Sequence, residues 1–390
     1  MRKFFNLNIN GVWFYTFFTI FLAMIIGVFF LNPIWSNYSP PFQIIRIYPA
    51  ITAPVDGPFY LMNAEIGYRW DPNDFLSIWF HPLLSFLVSV MPKILQSKIW
   101  FWILSILAAI VSIFLLIEIS KVYNKNNVVS PYLIPFILLI PGGLSIATGN
   151  PEIPTLLFTS LLLLSILIYQ KWWLTITFAV LGILTKPNAL YMVPILSVYF
   201  FSGLLSKENK LWEQSLLGII SILVGWSAWI LIVDWHVGEI GSYWGAREIA
   251  NNFVAGNPTK FFLSLVNSFV NTGNLRDQIR YSSALLIPLL NIWFISIVPF
   301  SKETHRIAIS VGNISMLFIA ILFGNPNKII VYTTTIPGYF YVYLMMFSNL
   351  LNINWIRKPL NKFVIAPIFI LFCASMLLIY VLGTPLGWYY

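Results

Sequence analysis

Long apolar runs separated by short polar segments make up most of this chain. Eleven of the runs have roughly the 20-residue length that a helix needs to cross the hydrocarbon core of a bilayer. The pattern predicts an all-α integral membrane protein, a polytopic helical bundle of about eleven transmembrane helices that forms a single domain over residues 1–390. The runs are residues 12–32, 99–120, 129–148, 153–170, 173–186, 189–206, 214–234, 281–300, 306–323, 329–349 and 363–383.

A further apolar run, residues 75–92, differs from the others because two prolines and His81 interrupt it. Proline breaks a helix by removing a backbone donor and by steric clash. We therefore expect this run to form a helix that lies in the membrane interface instead of crossing the bilayer. It belongs to the first of two long polar intervals, 33–98 and 235–280.

The composition agrees with a membrane protein. The chain is 59% hydrophobic and 9% charged, with a mean hydropathy of +0.82, whereas about a quarter of the residues of a soluble domain are charged. The single cysteine, Cys373, excludes an internal disulfide and a cysteine-based metal site. The formal net charge of +9 is better explained by membrane topology than by nucleic-acid binding.

The charged residues fit one orientation of the predicted helices. With a cytoplasmic N-terminus and no crossing by 75–92, the cytoplasmic loops receive twelve basic and three acidic residues, and the outer loops receive ten basic and nine acidic residues. Cytoplasmic loops of membrane proteins carry an excess of Lys and Arg. We therefore predict a multi-pass protein of the cell (plasma or inner) membrane, with 33–98 and 235–280 as extracytoplasmic loops and the active face outside.

The first polar interval concentrates acidic residues in a chain that has few. The whole chain has 13 carboxylates, and four of them lie within twenty residues of this interval: Asp56, Glu65, Asp71 and Asp74. Asp56 could be a general base whose proton affinity is raised by partial shielding, or a turn residue, because Asp-Gly favours turns. Glu65 is the alternative base. Asp71 and Asp74 look more like helix caps than catalytic groups.

Two predicted outer junctions carry one charged residue each. Glu152 follows a Gly-Asn-Pro sequence, and it is either a buried functional or paired carboxylate or the first residue of a helix after a short exposed loop. Lys186 precedes Pro187. It is either a cation that binds a lipid phosphate or a lysine that snorkels to the surface at a helix end.

Further candidates lie later in the chain. Arg280 stands beside an apolar helix, where an arginine suits phosphate recognition, and Lys328 with Tyr332 follows another outer junction. His236 and His81 could serve as bases, but an isolated histidine is a weak signal. The sequence contains no nucleotide-binding loop, dinucleotide fingerprint, zinc helix or nucleophile elbow.

Three stretches, in this order along the chain, resemble the GT-C glycosyltransferases. The first is Asp56-Gly57-Pro58-Phe59-Tyr60, followed by Gly67-Tyr68 and the predicted interfacial helix 74–91. The second runs from Pro141 through Glu152 to Leu184-Thr185-Lys186-Pro187-Asn188, and the third from Lys328 to Pro337. The family often has a pair of acidic residues close after the first span. Here a lone Asp56 stands further downstream, so the base remains either Asp56 or Glu65.

The resemblance implies a membrane enzyme that takes a hexose from a polyprenyl-phosphate donor on the extracytoplasmic side. The implied acceptor is a lipid, a glycan or a protein, and the other partners are membrane lipids and no nucleic acid. Lys186 with Arg280 would contact the phosphate. No cofactor is required, although a divalent metal is compatible with the chemistry. With His236 and Arg280, which are candidates from their residue types alone, the predicted substrate-binding residues are Lys186, Glu152, Tyr60, Asn188, His236, Arg280, Lys328 and Tyr332.

Two rival functions remain open at the level of sequence. A lipid-linked-glycan flippase or a small-molecule transporter should line a path across the membrane with polar residues. The predicted spans are almost free of charge, with Glu118 the main exception, which favours a site on one face. A polymerase or ligase of similar topology is the second rival.

Overall fold

The computed structural model describes residues 9–26, 57–70, 80–124, 152–244 and 298–322, together with 134–135, 137, 259, 263, 266–267, 270, 288–289 and 291–296. Within these residues the regular structure is helical and no strand forms. The helices are α1 Ile9–Ile26, α2 Gly57–Ile66, α3 Pro82–Ser89, α4 Ser97–Tyr123, α5 Glu152–Leu164, α6 Trp172–Thr185, α7 Met192–Ser206, α8 Asn209–Val237 and α9 Glu303–Leu322.

Four helical segments in the described residues are long and apolar enough to cross a membrane. They are Ser97–Tyr123, Glu152–Tyr169, Pro187–Ser206 and Asn209–Val237. The second joins α5 to a π-helical turn at its end, and the third joins a 3-10 turn, Pro187–Tyr191, to α7. This part of the chain is thus an all-helical bundle, as expected of a helical membrane protein, while the predicted total of eleven spans remains a prediction.

Very short connections join the central helices and make neighbours antiparallel. Gln170 and Lys207 adopt left-handed backbone conformations, with φ of 48° and 59°, at the ends of the helical segments before them. Residues in this conformation commonly end helices. Glycines allow the helices to approach closely: a Cβ on Gly203 would lie 2.6 Å from the backbone nitrogen of Trp212, and one on Gly225 would lie 2.7 Å from Ile183. Small residues serve the same purpose in other membrane bundles.

The alternating directions define two ends of the bundle. The end of α6, the beginning of α5 and the end of α8 lie at one end, which we call the Lys186 end. The end of α4, the end of α7 and the beginning of α9 lie at the other, which we call the Tyr123 end. Contacts at or next to these termini support the grouping. Lys186 bonds to Glu152, and His81 bonds to Ile183 and Tyr243 at one end; Ser202 bonds to Thr304, and Ser301 bonds to Tyr123 at the other.

The first polar interval packs against the Lys186 end. Tyr60 of α2 is buried in a small apolar cluster with Phe80, Leu84 and Phe101. The described part of the run 75–92 forms only α3, whose eight residues span about 12 Å at 1.5 Å per residue. The chain then turns into α4, so α3 itself is too short to cross a bilayer. The predicted helix caps Asp71 and Asp74 lie outside the described residues.

Candidate functional site

A buried ion pair marks the Lys186 end. The Lys186 ammonium donates a hydrogen bond to the Glu152 carboxylate, and the two side chains are only 11% and 4% exposed. Glu152 is the first residue of α5. Lys186 directly follows α6, and its backbone is extended because a following proline disfavours the helical conformation. After the helix ends, the chain enters the 3-10 turn Pro187–Tyr191, and the Lys186 side chain lies inside the bundle.

The burial of these residues bears on the alternatives left open by the sequence. Lys186 is buried and paired instead of snorkelling to the surface, and Glu152 is both the first residue of a helix and a buried, paired carboxylate. Moving each charged side chain from water into the protein interior costs several kcal/mol of free energy. The attraction between the two opposite charges offsets part of this desolvation cost. The beginning of α5 also favours a negative charge, because the helix dipole is positive there. Buried ionisable residues of this kind in membrane proteins are commonly functional.

Asn188 adds a hydrogen-bond donor two residues after Lys186. Its side-chain amide nitrogen is buried and has no acceptor among the residues that the structure describes. Leaving a buried donor without an acceptor costs about 1–3 kcal/mol, and such groups are uncommon in native proteins. An ammonium and an N–H donor so close in the chain form a set of groups suited to a phosphate or another anion.

Side chains from the first polar interval hold the turn that carries Lys186. A helix leaves its last carbonyls without intrahelical partners. At the end of α6, the Tyr60 hydroxyl donates to the carbonyl oxygen of Thr185 at 2.9 Å, and Nδ1 of His81 bonds to the carbonyl oxygen of Ile183. Tyr60 and His81 are both fully buried. The first polar interval therefore fixes the backbone on the N-terminal side of the Lys186 turn.

His81 also contacts the segment that follows α8. Its Nε2 lies 3.1 Å from the hydroxyl oxygen of Tyr243. The carboxylate of Asp234 accepts hydrogen bonds from the backbone nitrogens of Gly241 and Tyr243, at 3.0 and 3.2 Å. Gly241 has a φ of +91°, which glycine adopts without strain. Sequence reasoning missed Tyr243 and found only a weak signal for His81, because the residues that His81 contacts are more than a hundred positions away.

His236 lies in an aromatic row near the same end. Its ring stacks on Trp70 at 4.3 Å, and Trp70 stacks in turn on Tyr68 at 5.5 Å. The side chain of His236 is exposed, and its Nδ1 donates to the carbonyl of Ile232 at 2.8 Å. These contacts tie the end of α8 to the first polar interval, and they leave the outer face of the His236 ring open.

Glu65 is the one described candidate that points away from the buried pair. It is exposed, whereas Tyr60 and Asn63 on the same helix are buried. Positions 60 and 63 share one face of a helix with a 3.6-residue repeat, and position 65 falls on the other. The structure therefore pairs Glu152 with Lys186 and brings Tyr60 to the backbone of Thr185, the residue before Lys186. Asn188 lies two residues after Lys186 in the same turn, and His236 contacts Trp70. Four candidates lie outside the described residues: Asp56, Arg280, Lys328 and Tyr332.

A second buried polar cluster occupies the Tyr123 end. The Tyr199 hydroxyl donates to the Tyr123 hydroxyl at 2.9 Å and lies 2.9 Å from Nδ1 of His305, whose ring stacks on Tyr123 at 4.7 Å. The backbone nitrogen of Ser301 donates to the Tyr123 carbonyl at 2.6 Å. Burial, with a smaller contribution from the nearby Lys302 charge, lowers the pKa of His305 to about 4. This cluster joins α4, α7 and α9 and is neutral at physiological pH.

Metal chemistry gains no support from the described side chains, where no group of three or more His, Cys, Asp or Glu residues is placed to hold an ion. Comparison with protein-family models, with curated proteins and with solved structures finds no match for this chain. Its function is therefore argued from its own residues.

Proposed function

We propose that this protein is a membrane glycosyltransferase of the GT-C type, which moves a hexose from a polyprenyl-phosphate donor to a lipid, glycan or protein acceptor on the extracytoplasmic face. The observation that carries the proposal is the buried Lys186, followed two residues later by Asn188, whose buried amide nitrogen has no acceptor among the described residues. A lipid-linked phosphate supplies an anion with several acceptor oxygens at the depth of a membrane protein.

The proposed topology has about eleven spans, a cytoplasmic N-terminus and the Lys186 end outside the cell membrane. Its support is the charge distribution of the loops, in which the predicted outer side has nearly as many acidic as basic residues. The helix termini grouped at the Lys186 end are those that this topology assigns to the outside. The donor then reaches the site from the outer leaflet.

In this proposal, binding of the polyprenyl-phosphate sugar exchanges one anionic partner of Lys186, the Glu152 carboxylate, for another, the phosphate. The phosphate oxygens accept hydrogen bonds from the Lys186 ammonium and the Asn188 amide and replace Glu152 as the main partner of the lysine. Glu152 stands at the positive end of the α5 dipole, which partly offsets its loss of the lysine. Charge-assisted hydrogen bonds are roughly twice as strong as neutral ones, so the lysine contributes most of the binding and Asn188 orients the phosphate.

Sugar transfer then proceeds as a direct displacement. The acceptor hydroxyl oxygen forms a bond to the anomeric carbon, and its proton passes to the carboxylate of Asp56, with Glu65 as the alternative base. The bond between the anomeric carbon and the phosphate oxygen breaks, and its electron pair leaves with the phosphate. Lys186, with Arg280, stabilises the charge that grows on this leaving group. The configuration at the anomeric carbon inverts.

The flippase alternative finds no specific support in the described spans. Several buried hydroxyls bond to carbonyls of the same helix, as Thr159 does to Thr155 at 2.9 Å, whereas those of Ser112, Ser160 and Ser215 have no partner among the described residues. Other hydroxyls bond between helices: Thr175 donates to Gln214 at 2.7 Å and lies 3.0 Å from Ser165. These groups are neutral and mutually hydrogen-bonded, so they resemble the polar contacts that stabilise helix packing in membranes.

The decisive experiment measures sugar release by the purified protein from a panel of labelled polyprenyl-phosphate hexoses. The wild type is compared with Asp56→Asn and Lys186→Gln, and Lys93→Gln, which removes an exposed lysine, is the matched control. We expect turnover by the wild type and the control and at least a hundredfold loss in both site variants. Donor binding without turnover on every acceptor would refute the transferase and favour the flippase. Full activity of Asp56→Asn would transfer the role of base to Glu65.

A further inference from the structure

His81 joins three separate parts of the chain at a single buried point. It precedes Pro82, the first residue of α3, and its side chain is fully buried. One ring nitrogen bonds to the end of α6 through the Ile183 carbonyl, and the other lies 3.1 Å from the hydroxyl oxygen of Tyr243. Both nitrogens therefore have partners from elements that are distant in sequence.

These partners determine which nitrogen carries the proton. A carbonyl oxygen can only accept, so Nδ1 of His81 must be the donor to Ile183. In the neutral imidazole the other nitrogen, Nε2, is then an acceptor, and the Tyr243 hydroxyl donates to it. Tyr243 is itself held by the Asp234 carboxylate through its backbone nitrogen at 3.2 Å. A line of hydrogen bonds thus runs from the end of α8, through His81, to the end of α6.

The line ends three residues before Lys186. The Ile183 carbonyl is one of the terminal carbonyls that α6 cannot satisfy within the helix. Together with the Tyr60 bond to the Thr185 carbonyl, the His81 bond fixes the direction in which the chain leaves α6. A change of even an ångström in that direction would move the lysine ammonium relative to the Asn188 amide.

We propose that His81, oriented by Tyr243, is a positioning residue for the phosphate site. It holds the end of α6 so that Lys186 and Asn188 present their donors to one anion. The inference rests on the proposed function. It gives a role to the hydrogen bond between His81 of the first polar interval and Tyr243 of the second. His81 does not touch the phosphate; it acts through the Ile183 carbonyl.

Three variants separate the two bonds of His81. In His81→Asn the side-chain amide nitrogen occupies roughly the place of Nδ1 and can still donate to Ile183. His81→Gln instead brings its amide near the place of Nε2, so the Ile183 carbonyl loses its donor. Tyr243→Phe keeps the aromatic packing of Tyr243 and removes only the hydroxyl. A hydrogen bond contributes about 1 kcal/mol, which corresponds to a fivefold to tenfold change in a binding constant.

The test is titration calorimetry of geranyl phosphate, a short prenyl monophosphate, with the purified full-length protein, beside the melting temperature of each variant. Tyr169→Phe, which removes an exposed hydroxyl at the Tyr123 end, is the control. We expect His81→Gln to weaken binding about tenfold, Tyr243→Phe and His81→Asn, which both lose the bond between residues 81 and 243, to weaken it about threefold, and the control to bind like the wild type.

The pattern of outcomes distinguishes this inference from the function on which it rests. A purely structural histidine would lower the melting temperature in all three variants and leave the dissociation constant of the folded protein unchanged, which would overturn the inference alone. Equal losses in His81→Asn and His81→Gln would also overturn it, because the bond to Ile183 would not matter. If the wild type binds no prenyl phosphate, the proposed function fails and the inference fails with it.

Discussion

The two ends of the bundle each contain a buried polar cluster, but the clusters differ in charge and in completeness. At the Tyr123 end, Tyr123, Tyr199 and His305 are neutral and bond to one another. At the Lys186 end, an ammonium faces a carboxylate, and the amide nitrogen of Asn188 has no acceptor among the described residues. The comparison suggests that one cluster serves the packing of three helices and the other serves a ligand.

The free energy of a buried polar cluster depends on whether all its hydrogen bonds are made. A fully satisfied buried network rigidifies a core, whereas a partly satisfied one costs free energy in the absence of a ligand. The cost at the Lys186 end is understandable if an anion completes the hydrogen bonds. Changes at the Tyr123 end should therefore alter stability alone, and changes at the Lys186 end should alter binding as well.

The largest effect is expected from Lys186→Met. It leaves the Glu152 carboxylate buried without this lysine, and breaking a buried ion pair on one side costs about 3–5 kcal/mol. The double variant Lys186→Met with Glu152→Gln should recover most of the stability and none of the sugar transfer. Melting temperature and sugar release are measured in parallel. Recovery of transfer in the double variant would show that the lysine is only structural.

Tyr199→Phe should produce the next largest effect, at the other end. It removes the hydroxyl that lies between Tyr123 and His305, so each of these buried groups loses one hydrogen bond, worth about 1 kcal/mol. We expect a lower melting temperature and unchanged binding of geranyl phosphate. Weaker phosphate binding in this variant would contradict the separation of the two ends.

Acidification should destabilise the Tyr123 end through His305. Its pKa in the folded protein is lowered to about 4, below the value near 6.5 of an unfolded histidine, so the unfolded state binds more protons between these values. The contribution to stability is complete above about pH 6.5 and falls as the pH drops toward 4, by about 2 kcal/mol at pH 5. Melting temperatures at pH 7 and pH 5 check this. The drop should shrink in His305→Gln, and an equal drop in that variant would assign the effect to other groups.

Glu152→Gln should give the smallest change in binding and the only gain in affinity, although it leaves the buried Lys186 without this carboxylate and should lower stability by about 3–5 kcal/mol. The incoming phosphate no longer has to replace a carboxylate beside Lys186, so geranyl phosphate should bind several-fold to about tenfold more tightly, or up to about 1.4 kcal/mol. Calorimetry measures the affinity, with the exposed carboxylate variant Glu65→Gln as control. Unchanged or weaker binding would show that phosphate and Glu152 do not compete for the lysine.

Hydropathy alone placed the central helices well. The predicted run 99–120 lies within α4, and 214–234 lies within α8, because a helix long enough to cross a membrane must be apolar over most of its length. The ends differ by a few residues, since helices continue into the polar region beyond the apolar run. The sequence also singled out Glu152 and Lys186 separately.

What the sequence could not supply is which residues meet. Glu152 and Lys186 are 34 positions apart, and His81 and Tyr243 are 162 apart, so each contact depends on how helices pack and not on any local pattern. The same holds for Glu65, whose exposure follows from the face of α2 that Tyr60 buries. The break of α6 before Pro187, by contrast, was visible because proline acts locally.

The length of α6 has a consequence for how a lipid meets the protein. Its 14 residues extend about 21 Å at 1.5 Å per residue, whereas the hydrocarbon core of a bilayer is about 30 Å thick. A helix that begins at one surface therefore ends several ångströms short of the other, unless the bilayer thins around it. In our proposal Lys186 lies at that depth in the bilayer. A lipid-linked phosphate that binds it would sit deeper than the head groups of the surrounding lipids, while its prenyl chain stays in the leaflet.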